Sequence, residues 1–259
     1  MKDSGLKDRV VIVTGAAAGI GRATALRFAR ERSRVAALDV SEDGRRLVGQ
    51  ITDEGGEAIF QKVDVSRRDQ VEAAVQAVMD QWGRIDVLVN NAGIVRDAQL
   101  VKWKDGAVAS VMSDDVFDAV IGVNLRGVFL CARAVVPHMI RSGRGVILNA
   151  SSVVGLYGNF GQTNYAATKA GVINMTKTWS RELGRYGIRV NAVAPGFIAT
   201  EILKAMPPKV LEGMVGHTPL GRMGEPDDIA EAYAWLASDR AAFVTGSVLS
   251  VDGGLVVGT

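Results

Sequence analysis

Short apolar runs alternate with longer amphipathic stretches along most of the chain. Residues 9–15 (RVVIVTG) form a continuous run rich in β-branched side chains, and residues 21–32 then place apolar side chains at helical spacing. A short apolar run bounded by turn residues predicts a buried strand, and the helical spacing predicts an amphipathic helix. The start of the chain therefore predicts a strand, a helix and a second strand over 34–40.

The same alternation continues toward the carboxyl end. Further predicted strands cover 57–65, 84–93, 145–152, 188–196 and 246–254. Continuous apolar strands separated by helices indicate a parallel sheet covered on both faces, and right-handed crossovers make it doubly wound. We predict an α/β fold with one doubly wound (Rossmann) domain over 1–259, in which about seven parallel strands carry helices on both faces.

Two segments interrupt this rhythm, 94–113 and 196–221. Both follow the carboxyl ends of predicted strands, which is the edge where open α/β sheets bind ligands. Long insertions at that edge are usually pocket walls or lids. We expect a substrate lid over 196–221 and an insertion near the cleft around 101–113.

Composition and charge exclude several classes of protein. The 259 residues contain 30 Lys and Arg against 28 Asp and Glu, a balance that argues against a dedicated nucleic-acid or anionic-membrane binder. Cys131 is the single cysteine, so no intramolecular disulfide is possible. No signal-peptide pattern opens the chain, and no apolar run reaches the roughly 20 residues of a bilayer span. We therefore expect a cytoplasmic protein without a membrane partner. We also expect no metal site, because His138 and His217 have no Asp or Glu at the spacing of metal ligands.

The candidate chemistry begins after the first predicted strand, at TGAAAGIG (14–21). Gly15, Gly19 and Gly21 permit a tight turn and a close approach of the backbone to a phosphate, while the following helix supplies free N–H groups. Ala18 and Ile20 complete the loop. In a strand–turn–helix context this triplet predicts a dinucleotide site, with a merely flexible turn as the alternative.

Asp39 ends the second predicted strand, 18 residues after Gly21. A carboxylate at this place can accept hydrogen bonds from both hydroxyls of the adenosine ribose and would repel a 2′-phosphate. Neither Ala18 nor Val40 offers such a phosphate a positive charge. We therefore expect NAD(H) to be preferred over NADP(H), although a strand-end Asp can also be a plain helix cap.

Two later strand ends extend the predicted coenzyme site. Asp64 and Val65 are expected to meet the adenine amino group. The small residues of NNAG would let the adenine ribose lie against the backbone; they are Asn91, Ala92 and Gly93. Asn124 follows in an apolar helical run, where a buried amide needs a hydrogen-bonding partner.

Tyr165 and Lys169 share a helix face at the spacing i, i+4, which by itself is most often ordinary packing. The wider set of motifs changes this interpretation, because it resembles the short-chain dehydrogenase/reductase family over essentially the whole chain. The motifs that carry the resemblance are TGAAAGIG, NNAG, Asn124, Ser152, Tyr165-x₃-Lys169 and PGFIAT (195–200). Within that family, residues 151–171 and 219–254 resemble 3-oxoacyl-[acyl-carrier-protein] reductases.

The resemblance implies a catalytic tetrad of Asn124, Ser152, Tyr165 and Lys169. Tyr165 would exchange a proton with the substrate oxygen, and Lys169 would favour its phenolate and hold the nicotinamide ribose. Ser152 would stabilise charge on the reacting oxygen; the family's interval of 13 residues to the tyrosine selects it over Ser151. Asn124 would anchor a water that connects Lys169 to solvent.

The resemblance also implies a nicotinamide site at PGFIAT. Thr200 and the backbone of Ile198 would orient the carboxamide, with Pro195 and Gly196 beside them. An apolar substrate pocket is predicted, although several of its members are equally compatible with core or subunit contacts. Its candidate residues are Ile94, Val153, Tyr157, Phe160, Phe197, Ile202, Met206 and Met214.

Some features depart from reductases that act on acyl carrier protein. Gly143 and Tyr186 stand where such reductases commonly carry docking arginines, and the segment around 101–113 is longer. Such reductases usually depend on NADPH, which disagrees with the expectation from Asp39. Apolar residues on more than one face of helices 124–142 and 165–186 indicate pairing between subunits, and the resemblance implies a homotetramer.

We therefore predict an NAD(H)-dependent oxidoreductase that transfers hydride between nicotinamide and a carbonyl or secondary alcohol. The expected substrate is a 3-oxoacyl thioester or a related medium-sized ketone. A dehydrogenase of secondary alcohols, cyclic alcohols or sugars is the alternative. A non-catalytic NAD-binding sensor is a remote third hypothesis.

Overall fold

A parallel sheet forms the centre of the protein in the computed structural model, which describes residues 4–201 and 207–255. In chain order the strands of these residues are β1 (Val10–Thr14), β2 (Arg34–Asp39), β3 (Glu57–Lys62), β4 (Val87–Asn90), β5 (Val101–Lys104), β6 (Ala107–Val111), β7 (Gly145–Ala150), β8 (Ile188–Pro195) and β9 (Val248–Val251). All except β5 and β6 belong to the sheet, in the order β3-β2-β1-β4-β7-β8-β9. The order reverses between β1 and β4, which creates a crevice at the carboxyl edge.

Helices cover both faces of the sheet. They are α1 (Gly19–Arg30), α2 (Gly44–Asp53), α3 (Arg68–Trp82), α4 (Asp114–Ile121), α5 (Val128–Ser142), α6 (Val154–Tyr157), α7 (Thr163–Leu183), α8 (Pro208–Gly216) and α9 (Pro226–Ala237). Because successive strand side chains point to opposite faces, Val11 and Val13 of β1 join one core cluster while Val10 and Ile12 join the other. The predicted doubly wound α/β fold and its seven sheet strands are confirmed.

The helix from Asp114 to Ser142 is the one apolar helix of the described residues that is long enough to be compared with a membrane span. It runs through α4, a π-helical turn (Gly122–Gly127) and α5, and its 29 residues are long and apolar enough to cross a bilayer by length and composition. Core helices of soluble proteins pass the same test. Here Leu130, Val135 and Met139 are buried in the core cluster that includes strand residues of the sheet, so these apolar residues pack within the protein.

The predicted insertion contains an antiparallel hairpin, β5–β6, outside the main sheet. Val101 pairs with Val111 and Trp103 with Val108, and every residue of both strands is exposed. The hairpin follows the loop that leaves the carboxyl end of β4.

Candidate active site

The turn from β1 into α1 has no room for side chains at two glycines, Gly15 in the loop and Gly21 in the first turn of α1. Gly15 has φ +64°, and a Cβ there would lie 2.8 Å from the Cα of Ala92. A Cβ on Gly21 would lie 2.0 Å from the carbonyl oxygen of Gly15. The Asn91 amide donates to the carbonyl oxygens of Thr14 (3.1 Å) and Gly15 (3.2 Å), which fixes the loop against β4. The result is a cradle of bare backbone at a helix N-terminus, as a phosphate requires.

This loop opens onto a cavity of about 540 Å³ at the carboxyl edge of the sheet. Most residues predicted to bind the coenzyme line it; they are Gly15, Ala18, Gly19, Ile20, Asp39, Val40, Asp64, Val65, Asn91, Ala92, Gly93 and Thr200. Several other lining residues were not predicted. Ala17, Ser41, Val63, Val123 and Glu201 are each adjacent to a predicted residue, which is the one signal that could have found them, whereas Asp43 has no such signal. Together with the glycine cradle, the cavity fits a dinucleotide.

A methyl group at Gly21 should disrupt this cradle. We expect Gly21→Ala to raise the Kd for a nicotinamide dinucleotide at least about tenfold, equivalent to about 1.4 kcal/mol, because the Gly15 carbonyl must move. The same crowding should lower the free energy of unfolding by about 1–3 kcal/mol. Titration of coenzyme fluorescence and urea unfolding measure the two effects. Gly49→Ala is the matched control, since a Cβ there meets nothing within 4 Å; equal behaviour of both variants would contradict the prediction.

Tyr165 and Lys169 lie on the same face of α7, with the lysine Nζ 5.5 Å from the centre of the tyrosine ring. The Lys169 side chain is buried and donates to the carbonyl oxygen of Ala150 at 2.7 Å. Burial lowers the pKa of Lys169 to about 8. For Tyr165, burial raises the phenol pKa, a hydrogen bond with the Ser152 side chain lowers it, and the charge of Asp97 raises it. The site therefore brings a neutral phenol, a hydroxyl and a titratable ammonium together.

The two adjacent serines have different surroundings. The Ser151 hydroxyl donates to the backbone carbonyl of Lys169 at 3.0 Å and ties β7 to α7. The Ser152 oxygen accepts from the Val154 N–H at 3.1 Å and pairs with the phenol of Tyr165. Two hydroxyls that share a hydrogen bond can both turn toward a third oxygen, and that geometry selects Ser152 for the site.

Asn124 is fully buried in the π-helical turn, where its amide is satisfied by one residue. Its Oδ1 accepts from the Ile94 N–H at 2.8 Å and its Nδ2 donates to the Ile94 carbonyl at 2.9 Å. A Cβ on Gly93 would lie 3.4 Å from the Asn124 Oδ1 and 3.7 Å from the Lys169 Nζ. Asn124 and Lys169 are therefore close neighbours across Gly93, although they belong to different helices.

The predicted substrate residues are more dispersed. Ile94 lines the large cavity, Val153 is buried, and Tyr157 and Phe160 are 58% and 82% exposed. Phe197 and Ile198 line a separate cavity of about 190 Å³. Met214 lies on α8, and Ile202 and Met206 lie outside the described residues. The described part of the chain thus brings most of the coenzyme candidates and the tetrad together. Ile198, predicted to orient the carboxamide, lines the separate cavity instead, and the substrate set is not gathered around one pocket.

Comparisons with known proteins agree with this geometry. A family model described as enoyl-(acyl carrier protein) reductase matches residues 15–256. The chain is 50% identical over 253 residues to the 3-oxoacyl-[acyl-carrier-protein] reductase FabG of Thermotoga maritima, covering 97% of this chain and 99% of that protein. It is 44% identical over 246 residues to the FabG of Staphylococcus aureus strain Mu50 (94% and 96% covered). It is 43% identical over 260 residues to a (3R)-3-hydroxyacyl-CoA dehydrogenase of Canis lupus familiaris (96% and 97% covered).

These relatives overturn the expected preference for NAD(H) over NADP(H). Two of them are 3-oxoacyl-[acyl-carrier-protein] reductases, a class that usually depends on NADPH, so the comparison points to NADP(H). The structure gives the reason why Asp39 misled the prediction. Its Oδ2 accepts from the Ala17 N–H at 2.8 Å and its Oδ1 from the Ser41 N–H at 2.9 Å. Both carboxylate oxygens therefore brace the backbone of neighbouring loops. This is not the helix cap that had been the alternative, since the N-caps of α1 and α2 are Ala18 and Asp43.

Proposed function

This chain belongs to the short-chain dehydrogenase/reductase family and is an oxidoreductase, and from that premise we propose that it reduces the ketone of a 3-oxoacyl thioester to a secondary alcohol. One observation carries the proposal: the Ser152 and Tyr165 hydroxyls meet beside the buried ammonium of Lys169, at the end of the glycine-loop cavity that Gly93 borders. Such a pair of hydroxyls provides two hydrogen bonds for one carbonyl oxygen.

The glycine cradle and the cavity supply the site for a nicotinamide coenzyme. Gly15 and Gly19 would hold its pyrophosphate at the N-terminus of α1, and Asp64 and Val65, which line the same cavity, would meet the adenine. Thr200 lies against Gly19, with its Cγ2 3.3 Å from a Cβ built there, and would border the nicotinamide end. When bound, the coenzyme supplies the hydride.

Residues of this chain then stabilise the charge that develops on the substrate oxygen and supply the proton. Ser152 stabilises negative charge on the substrate oxygen, while Tyr165 donates its phenolic proton to that oxygen. Lys169 stabilises the phenolate that remains, because its ammonium is close and poorly solvated. At pH 7 this ammonium is mostly protonated, since its pKa is about 8. Asn124 holds the backbone at Ile94 beside this lysine.

The family description and the names of the relatives suggest different acyl substrates. The matching family model is described by an enoyl substrate, whereas the FabG relatives are named for 3-oxoacyl substrates. The paired hydroxyls of Ser152 and Tyr165 support the second class, because reduction of a ketone places charge on one oxygen that both can bind. Reduction of a carbon–carbon double bond adds both the hydride and the proton to carbon, so the two hydroxyls would not bind the atom that receives the proton.

A substrate panel tests the proposal. With NADPH as coenzyme, we expect kcat/KM for an acetoacetyl thioester to exceed that for a 2-enoyl thioester, cyclohexanone, an α-diketone or a sugar by at least about 100-fold, or about 2.7 kcal/mol. Coenzyme oxidation at 340 nm measures each rate. Strong oxidation of a free cyclic alcohol without activity on thioesters would contradict the proposal and favour an alcohol dehydrogenase. Repeating the panel with NADH separates substrate choice from coenzyme choice.

We also propose a homotetramer in the cytoplasm. Phe129 on α5 is 42% exposed and Phe243 is fully exposed, which supports burial of these rings against other subunits. Cys131 is a buried free thiol whose pKa burial raises to about 12, so it is suited to a reducing compartment and not to a reactive role.

A further inference from the structure

The segment 94–98, which we name the strap, contacts both the π-helical turn and the start of α7. One end is held by Asn124, whose amide makes both of its hydrogen bonds to the backbone of Ile94. The other end is held from α7, the helix that carries Tyr165, through contacts of Asn164 and of the loop before it. The strap is therefore one connection between the π-helical turn and the helix of the proposed proton donor, beside the direct packing of Leu125 against Gly171.

Asn164 is the buried residue of this second attachment and immediately precedes Tyr165. Its Nδ2 donates to the carbonyl oxygen of Arg96 in the strap (3.0 Å) and to that of Val116 in α4 (3.3 Å). Its Oδ1 accepts from the backbone N–H of Tyr165 at 2.8 Å. One amide thus ties three separate segments together at the first turn of α7, where backbone N–H groups otherwise lack partners.

A second, more exposed contact lies beside it. The Ala98 N–H donates to the Gly161 carbonyl at 2.9 Å, and the Gln162 side chain donates to the Asp97 carboxylate at 2.9 Å. These bonds continue the attachment of the strap to the loop before α7, but Asp97 is exposed, so water can replace them at small cost. The buried amide of Asn164 has no such replacement.

We propose that Asn164 is a positioning residue, which holds the Tyr165 phenol against Ser152 by fastening the start of α7 to the strap and to α4. The inference rests on the proposed role of Tyr165 as proton donor. Asn164 does not touch the reacting atoms in this proposal; it acts through the backbone of Tyr165. Displacing a reacting group by about 1 Å can cost about 100-fold in rate, so a fixed first turn matters for proton transfer.

The test is Asn164→Ala, assayed with NADPH and a 3-oxoacyl thioester. We expect kcat to fall about 10- to 100-fold with the KM for coenzyme within about twofold of wild type. The ratio of kcat in H₂O to kcat in D₂O should rise, because proton transfer from a misplaced phenol becomes slower than the other steps. Asn174→Ala is the matched control, since Asn174 is an exposed asparagine on the same helix and should leave all three values unchanged.

Asn164→Asp serves as a second variant if loss of the buried amide prevents folding. It keeps an oxygen that can accept from the Tyr165 N–H and loses the donor to the carbonyls of Arg96 and Val116, so it should show the same changes. The inference is overturned if the folded variant keeps the kcat of wild type, if kcat and coenzyme KM change in proportion, or if the solvent isotope effect stays constant. Assay of the wild-type protein distinguishes a failure of the proposed function from a failure of this inference. An inactive wild type refutes the proposed function, whereas an active wild type with unaffected variants refutes this inference alone.

Discussion

Tyr165→Phe is expected to lower kcat for ketone reduction by about 10³-fold, within the range that positioned acids and bases contribute. The substitution removes one hydroxyl and leaves the ring that faces the Lys169 ammonium. The KM for coenzyme should change little, since the glycine cradle and the cavity at the other end of the site are untouched. Single-turnover rates with NADPH and an acetoacetyl thioester measure the loss without interference from product release.

Tyr186→Phe is the control for this experiment. Tyr186 lies in the turn after α7, where its hydroxyl accepts from Arg185 at 2.6 Å, away from the proposed site. We expect that variant to keep the rate of wild type. If Tyr165→Phe retained more than about a tenth of the wild-type kcat while folding normally, general acid catalysis by this phenol would be refuted.

The fold was predictable because its main signal is local and repeated. Val10–Val13 are all apolar and the strand is buried on both faces, so its short length, its β-branched residues and the glycine after it distinguish it from a helix. The hairpin β5–β6 was not predicted as strands. Its residues are exposed on both faces, so no burial pattern marks it.

The candidate site could be predicted from the sequence at positions where the structure accepts only one residue type. Gly15 and Gly21 meet backbone that excludes a Cβ, and such positions can be recognised from spacing in a strand–turn–helix unit. Asp39 was misread because a strand-end carboxylate can serve the ribose or the backbone, and the sequence does not distinguish these uses. Asn164 was missed because its importance depends on the carbonyls of Arg96 and Val116, which are brought together by folding.

Lys169→Met is expected to lower kcat by about 100-fold and to raise the KM for coenzyme, because the ammonium both stabilises the phenolate and lies beside Gly93 in the coenzyme cavity wall. Methionine retains much of the buried aliphatic volume, which limits the loss of packing. Lys177→Met, an exposed lysine two turns further along α7, is the matched control and should leave the kinetics unchanged.

The same variant should shift the pH profile of alcohol oxidation in a defined direction. In the direction of alcohol oxidation Tyr165 must be ionised to accept a proton, so the rate rises with pH through the pKa of the phenol. A neighbouring cation favours the phenolate and lowers the pKa of the phenol. The pKa of Lys169 is about 8 when the phenol is neutral, but a phenolate in turn favours the ammonium, so the two groups titrate as a pair in which Lys169 stays charged. Removing it should therefore move the rise in oxidation rate to higher pH. A profile that stays in place, or moves to lower pH, would mean that Lys169 does not act on the phenol electrostatically and that its role is limited to holding the coenzyme.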